Sequence, residues 1–194
     1  MAAGLPYDSD EARTLAAAIQ GIMTGYSYYV SSLMAQKLSP FEKYSLNEEH
    51  MLRVIRNHSR VAGAMEDDYE GLSYQPIKIN HDLIKEMKFD QISNTLKQVW
   101  NEAYESGSHF GYRNAQVSVV APTGTISFAM DCGATSIEPF YAHVIYKKLV
   151  SGSAMVMVNP VIETALNNLG YEEEEIDAIV SYILRRDDDG NIID

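Results

Sequence analysis

Residues 115–127 read AQVSVVAPTGTIS, and the fold turns on how this stretch is understood. The first part, 115–121, is a short run rich in β-branched side chains, the pattern of a buried strand. Pro122, Thr123, Gly124, Thr125, Ile126 and Ser127 follow at once. At the end of a strand, such small and hydroxylated residues offer exposed N–H groups, hydroxyl donors and room for close approach. A helix beginning there aims its first N–H groups at the same spot. Two readings stand side by side: an anion site, and an ordinary strand-to-helix turn with threonine caps. The loop is not a Walker A loop, since no Gly-Lys-Ser/Thr ending is present, and it lacks the Gly-x-Gly-x-x-Gly spacing of a dinucleotide fold.

Upstream of this stretch the chain reads as helices. Asp8 and Glu11 have capping-box spacing. Leu15, Ile19, Ile22, Tyr26, Tyr29 and Leu33 then mark one apolar face of a helix ending near Lys37, ahead of Ser39-Pro40. Gly25, inside it, predicts a kink or a close packing contact. Ser45 with Glu48 starts a second helix, with Met51, Val54, Ile55, His58, Val61 and Met65 inward and Arg53, Arg56 and Arg60 outward. Residues 66–82 read as a loop. A third helix starts near Asp90, buries Ile92, Leu96, Val99 and Ala103, and ends between Gly107 and Gly111.

Downstream, Phe128 to Met130 begin a short helix, 131–139 form a polar loop, and 142–149 read as another strand. Two helices close the chain. One carries Val161, Ile162, Ala165, Leu166 and Leu169. The other runs from the Glu172 to Glu175 cluster through Ile176, Ile179, Val180 and Ile183, and 187–194 read as a frayed tail. The expectation is therefore an α/β chain, helix-rich with a few strands and without repeats.

Composition narrows the functions. Apolar residues are 46% of the 194 and charged residues 22%, as in a globular protein with a real core. The formal charge of −12 argues against nucleic acid and anionic membrane surfaces as partners. The longest apolar runs are too short for a transmembrane helix, and no signal-peptide pattern opens the chain. A single cysteine, Cys132, excludes an internal disulfide framework and fits a cytoplasmic setting. His50, His58, His109 and His143 show no metal-ligand spacing, so no metal site is expected.

Several separated motifs resemble one family in register. They are Arg113-Asn114-Ala115-Gln116-Val117, Ala121-Pro122-Thr123-Gly124-Thr125-Ile126-Ser127, Asp131-Cys132 and Thr135-Ser136-Ile137-Glu138-Pro139. The stretches Gly4-Leu5-Pro6-Tyr7-Asp8-Ser9-Asp10-Glu11-Ala12, residues 50–58, Tyr69-Glu70-Gly71-Leu72 and Tyr146-Lys147-Lys148-Leu149 are similar to the same family. Together, from about residue 4 to about residue 184, they resemble the C-terminal part of the ten-stranded catalytic barrel of ribonucleotide reductases, in the manner of the adenosylcobalamin-dependent class II enzymes. The resemblance implies one partial barrel domain over 1–194. It also implies reduction of ribonucleotides, as diphosphates, to deoxyribonucleotides, with the substrate's phosphates held by Pro122, Thr123, Gly124, Thr125 and Ile126.

Such chemistry needs a radical cysteine in an Asn-x-Cys-x-Glu finger loop and two further cysteines, none of which is present. Cys132 lacks that setting and reads as a partly buried structural thiol. The resemblance therefore implies partners: the remainder of the reductase with the radical cysteine, a ribonucleotide substrate, a thioredoxin-like reductant, and adenosylcobalamin, for which no residue is assigned. No catalytic residue is assigned either, and the chain alone is expected to be inactive. A nucleotide-binding or regulatory module without activity, and a class I or class III segment, are the alternatives. Glu138 either is a buried acid that fixes the substrate loop or closes a turn, and the tyrosines read as packing residues. A natural split subunit or a fragment of a longer reductase, stable only with the rest of its barrel or self-associating through open strand edges, is the expectation for the chain by itself.

Overall fold

Ser9 opens the first helix: its hydroxyl accepts the Ala12 N–H, and α1 runs Asp10–Leu38. In the computed structural model the described residues are 2–66, 68–130, 132–140, 142–148 and 154–185. The expected tail at 187–194 lies outside them. After α1 come α2 (Tyr44–Val61), α3 (His81–Glu86), α4 (Asp90–Phe110), α5 (Gly124–Ala129), β1 (Val144–Lys148), β2 (Ala154–Val158), α6 (Pro160–Leu169) and α7 (Glu173–Ile183). Among the described residues no helix is long and apolar enough to cross a membrane. The chain divides into two compact units. One is Asp8–Val119, and the other joins the residues up to Tyr7 with those from Val120 onward.

The Asp8–Val119 unit is a helical core built on α1 against α4. Its buried apolar cluster includes Tyr28, Ile55, Ile84, Leu96, Trp100 and Tyr112. The expected face of α1 is corrected by the structure. Ile19 and Tyr26 are about half exposed, whereas Leu15, Ala18, Gly25, Tyr28, Ser32 and Ala35 are buried. The cause is close approach. A Cβ on Gly21 would lie 2.8 Å from Leu96 Cδ1, and one on Gly25 would lie 2.9 Å from Val99 Cγ2 and 3.0 Å from Trp100. Helix α1 thus turns its small residues inward, and the Trp100 indole N–H donates to Gly21 O at 3.1 Å. Gly25 is the close contact that its mid-helix position predicts.

Tyr28, Tyr44 and Tyr112 meet edge-on in this core: Tyr28 and Tyr112 rings are 5.7 Å apart, Tyr44 and Tyr112 6.4 Å. Burial pushes the Tyr44 phenol up to about 12 and raises Tyr112 further. These three tyrosines pack in the core, the role the sequence reading expects of the tyrosines. Tyr112 also closes the end of α4, where its hydroxyl donates to Ala103 O at 2.8 Å. A Cβ on Gly107 would collide with that ring.

On α2, Arg56 and Arg60 do not face outward as expected. Glu70, returning from the loop, takes Arg56 Nε at 2.8 Å and Arg56 Nη2 at 2.6 Å, and pairs with Arg60 Nη1 at 2.6 Å. Asn57 fixes the same residue from both sides, donating to Glu70 O and accepting the Glu70 N–H. The Arg56 guanidinium bonds hold the Glu70 carboxyl down to about 2. Helix α3, which starts at the end of the expected loop 66–82 and was not read from the sequence, is capped by Asn80. His81 follows: its Nε2 donates to Ala62 O, so Nδ1 accepts from Ser93 Oγ.

The strand expected at 115–121 is not one among the described residues. The segment leaves α4 pinned to α1, with Asn114 N–H on Ser31 Oγ at 2.9 Å and Arg113 N–H on Ser31 O at 3.0 Å. Beyond that it has no ladder partner, and Val119 is 82% exposed. An apolar run becomes a strand only beside another strand. The strand expected at 142–149 is present as β1. It pairs antiparallel with β2, which sequence reading missed, in register from Val144 opposite Val158 to Lys148 opposite Ala154.

Candidate functional site: the 122–126 loop and its clasp

Asn159 organises the second unit. Only 1% exposed, it ends the β1–β2 hairpin with its N–H on His143 O at 2.8 Å. Its Oδ1 caps α6 by accepting the Val161 N–H, ahead of Pro160 at the first helical position. Its Nδ2 donates to Gly133 O at 3.1 Å. Gly133 has to be glycine here, since a Cβ would lie 2.7 Å from the Phe140 ring and 2.9 Å from Asn159 Oδ1. Sequence reading missed Asn159, although Asn-Pro at the start of an apolar helix is the signal that finds such a cap.

All five expected substrate residues come together at the start of α5, and all are exposed. Thr123 is the N-cap by position but gives α5 no side-chain cap. Its hydroxyl donates to Thr135 O at 2.5 Å, and its N–H donates to the same oxygen at 2.9 Å. Thr135 is held in turn by Glu138, whose Oε1 accepts the Thr135 N–H at 2.7 Å and the Thr135 hydroxyl at 2.5 Å. Glu138 is exposed and closes a turn back to Thr135, the second of the two readings left open in the sequence, and is not a buried acid. The Thr135 hydroxyl bond, with nearby backbone N–H groups, holds its carboxyl below the usual carboxylate range. Ser127, buried, closes the turn by donating to Gly124 O at 2.7 Å.

Of the five expected substrate residues, Thr123 alone borders a cleft of about 450 Å³, which Tyr7, Cys132, Thr135, Glu138 and Phe140 also line. The Tyr7 hydroxyl donates to Ile137 O at 2.8 Å across its wall. Cys132 is exposed, so the expectation of a partly buried thiol is corrected. It stands beside the cleft because its N–H bonds Ser127 O at the end of α5. No cluster of three or more metal-ligating side chains occurs among the described residues.

A model of the ribonucleotide reductase barrel domain matches residues 1–190. The chain belongs to that family. The vitamin B12-dependent ribonucleotide reductase of Agrobacterium fabrum is 44% identical over 182 residues, covering 94% of this chain and 14% of the relative. The corresponding protein of Bradyrhizobium diazoefficiens is 45% identical over 182 residues, with the same coverage on each side. That of Streptomyces avermitilis is 39% identical over 194 residues, covering 100% of this chain and 18% of the relative. This reductase barrel segment therefore spans less than a fifth of the length of these relatives. The match covers the stretch over which the separated motifs, from about residue 4 to about residue 184, resemble this family.

Proposed function

We propose that this chain is a C-terminal part of the ten-stranded catalytic barrel of a cytoplasmic, cobalamin-dependent enzyme that reduces ribonucleoside diphosphates. In this reading its 122–126 loop holds the substrate's phosphates. One observation carries the loop's part: Thr123 spends its hydroxyl on Thr135, so the first N–H groups of α5 have no side-chain cap. A phosphate accepts hydrogen bonds and brings negative charge, which suits uncapped N–H groups at a helix start. The grip needs no lysine, in keeping with a chain of net charge −12. A Cβ on Gly124 would meet nothing within 4 Å, so the approach from that side is open. The Thr123 hydroxyl already donates to Thr135 O, which makes Thr125 the hydroxyl donor to the ligand and Thr123 the residue that shapes the loop.

The names of the relatives favour cobalamin over the radical sources of class I and class III enzymes. The described residues do not fit that cofactor, because the cleft beside the loop is small for a corrin and its axial groups. Cobalamin, the radical cysteine and the dithiol reached by a thioredoxin-like reductant belong in this reading to the rest of the reductase. The partnerless run 115–121 is then a strand whose neighbours come from the same source.

The test uses the full-length reductase that contains this segment. Thr125→Ala should lower kcat/KM by about 1.5–3 kcal/mol, tenfold or more, chiefly through KM, as for a lost bond to a charged group. Gly124→Ala adds a methyl where this chain leaves room and improves helix propensity. It should raise KM without lowering the melting temperature. Unchanged KM in both variants would sink the loop assignment, and comparison of diphosphate with triphosphate substrates checks the substrate class.

A further inference from the structure

Loop 132–140 is fastened at two points that do different things. At Gly133 the buried Asn159 ties it to the α6 cap and the hairpin. At Thr135 the exposed Glu138 ties it to nothing but itself, three residues back. A carboxylate standing in water gains little from such a local contact. What the contact does is aim the Thr135 carbonyl, and that carbonyl takes both donors of Thr123.

We propose that Glu138 is a positioning residue of the substrate loop: by clasping Thr135 it keeps the Thr123 hydroxyl turned away from α5, so that the loop stays open to a phosphate. The inference rests on the reading of loop 122–126 given above and adds a residue that does not touch the ligand. The alternative arrangement is built into the sequence. A threonine at an N-cap ordinarily accepts an N–H from two or three residues on, here Thr125 or Ile126. Released from Thr135, the Thr123 side chain rotates to that position and occupies a donor that the phosphate would use. Glu138 works against this self-capping. Its acceptor, not its charge, is what Thr135 requires, since one carboxyl oxygen receives both bonds.

The distinguishing experiment measures KM, kcat and thermal stability for a ribonucleoside diphosphate in the full-length reductase. Direct nucleotide binding by equilibrium dialysis supplies a readout independent of turnover. Glu138→Ala should raise KM and Kd about five- to tenfold, the scale of one redirected hydrogen bond, with kcat within about twofold and an unchanged melting temperature. Glu138→Gln, whose amide oxygen accepts the same two bonds, should restore values near those of the parent. Thr125→Ala is run beside them. If it raises KM while Glu138→Ala does not, the positioning role is wrong and the phosphate loop stands. If neither raises KM, the loop reading fails and takes the proposal with it. A Glu138→Ala enzyme that loses kcat and melting temperature together, without rescue by glutamine, would show a general structural role and overturn the inference.

Discussion

Glu70 ties together three side chains of α2, and its protonation should be visible in stability. Bonded to Arg56 and Arg60, its carboxyl is held down to about 2. A carboxylate whose folded pKa is depressed contributes stability above its unfolded value, near 4.5, and loses that contribution as pH falls toward 2. Glu70→Gln leaves the buried Arg60 without its carboxylate and should cost this chain about 2–4 kcal/mol at neutral pH. In urea melts the gap between parent and variant should narrow as pH drops through that window. A gap independent of pH would show that the charge is not what matters. This clamp was not legible in the sequence. Arg53, Arg56 and Arg60 recur like a solvated face, and nothing in the spacing shows that a carboxylate fourteen residues beyond Arg56 folds back between them. In the Pro-Thr-Gly-Thr-Ile loop the small and hydroxylated side chains made a turn into a helix legible, and the five residues do meet at the start of α5. The phosphate role came from the family resemblance alone, since a row of such residues serves an ordinary turn equally well.

Helix ends tell a similar story at the scale of elements. Three of them close alike, with a left-handed residue after the last turn and paired bonds back to it. Gly63 closes α2 (Ala64 N–H to Ser59 O) and Gly170 closes α6 (Tyr171 N–H to Leu166 O). Lys88 closes α3, where the Phe89 N–H reaches Ile84 O at 3.0 Å and the lysine itself sits at φ 65°. Lysine bears a Cβ penalty there that glycine lacks, so Lys88→Gly should stabilise this chain by about 1 kcal/mol, read as a shift in the denaturation midpoint. Gly107→Ala should destabilise by about 1–3 kcal/mol, because its methyl must displace the Tyr112 ring beneath it. The positions of α1, α2, α4, α6 and α7 were readable because an apolar period is local, whereas the short α3 was missed and α5, expected from Phe128, begins at Gly124. The buried face of α1 was not readable: a search for large apolar side chains passes over glycine, serine and alanine, which bring two helices closest together. The run 115–121 misled for the opposite reason: its composition suits a strand, but no other strand lies beside it among the described residues.

For the molecule as a whole, the outward face of α1 sets the behaviour of the isolated chain. Ile19, Met23, Tyr26, Val30 and Leu33 form an exposed apolar stripe along that helix. A stripe of that length on a free protein is a site of association. Expressed alone, the chain should show a mass by light scattering that rises with concentration. Met23→Lys combined with Tyr26→Lys should return it toward a monomer without changing its helical signal. A parent chain that stays monomeric at high concentration would refute this.

The division into two units also fixes an order of events on the ribosome. Residues 8–119 are continuous in sequence and hold their own core, so that unit can collapse as soon as it has emerged. The residues up to Tyr7 belong to the other unit. Tyr7 waits for Ile137, 130 residues later, and Ala2 O waits for Asn168, 166 residues later. At a translation rate of about 5–20 residues per second, the first of these partners arrives roughly 7–26 s after Tyr7 itself has been made. Throughout that interval Tyr7 lacks the acceptor that will hold it, while residues 8–119 already have their own core. The cleft that Tyr7 helps to wall therefore forms late relative to the helical core, completed only when residues 132–140 have been made and Ile137 O meets the Tyr7 hydroxyl.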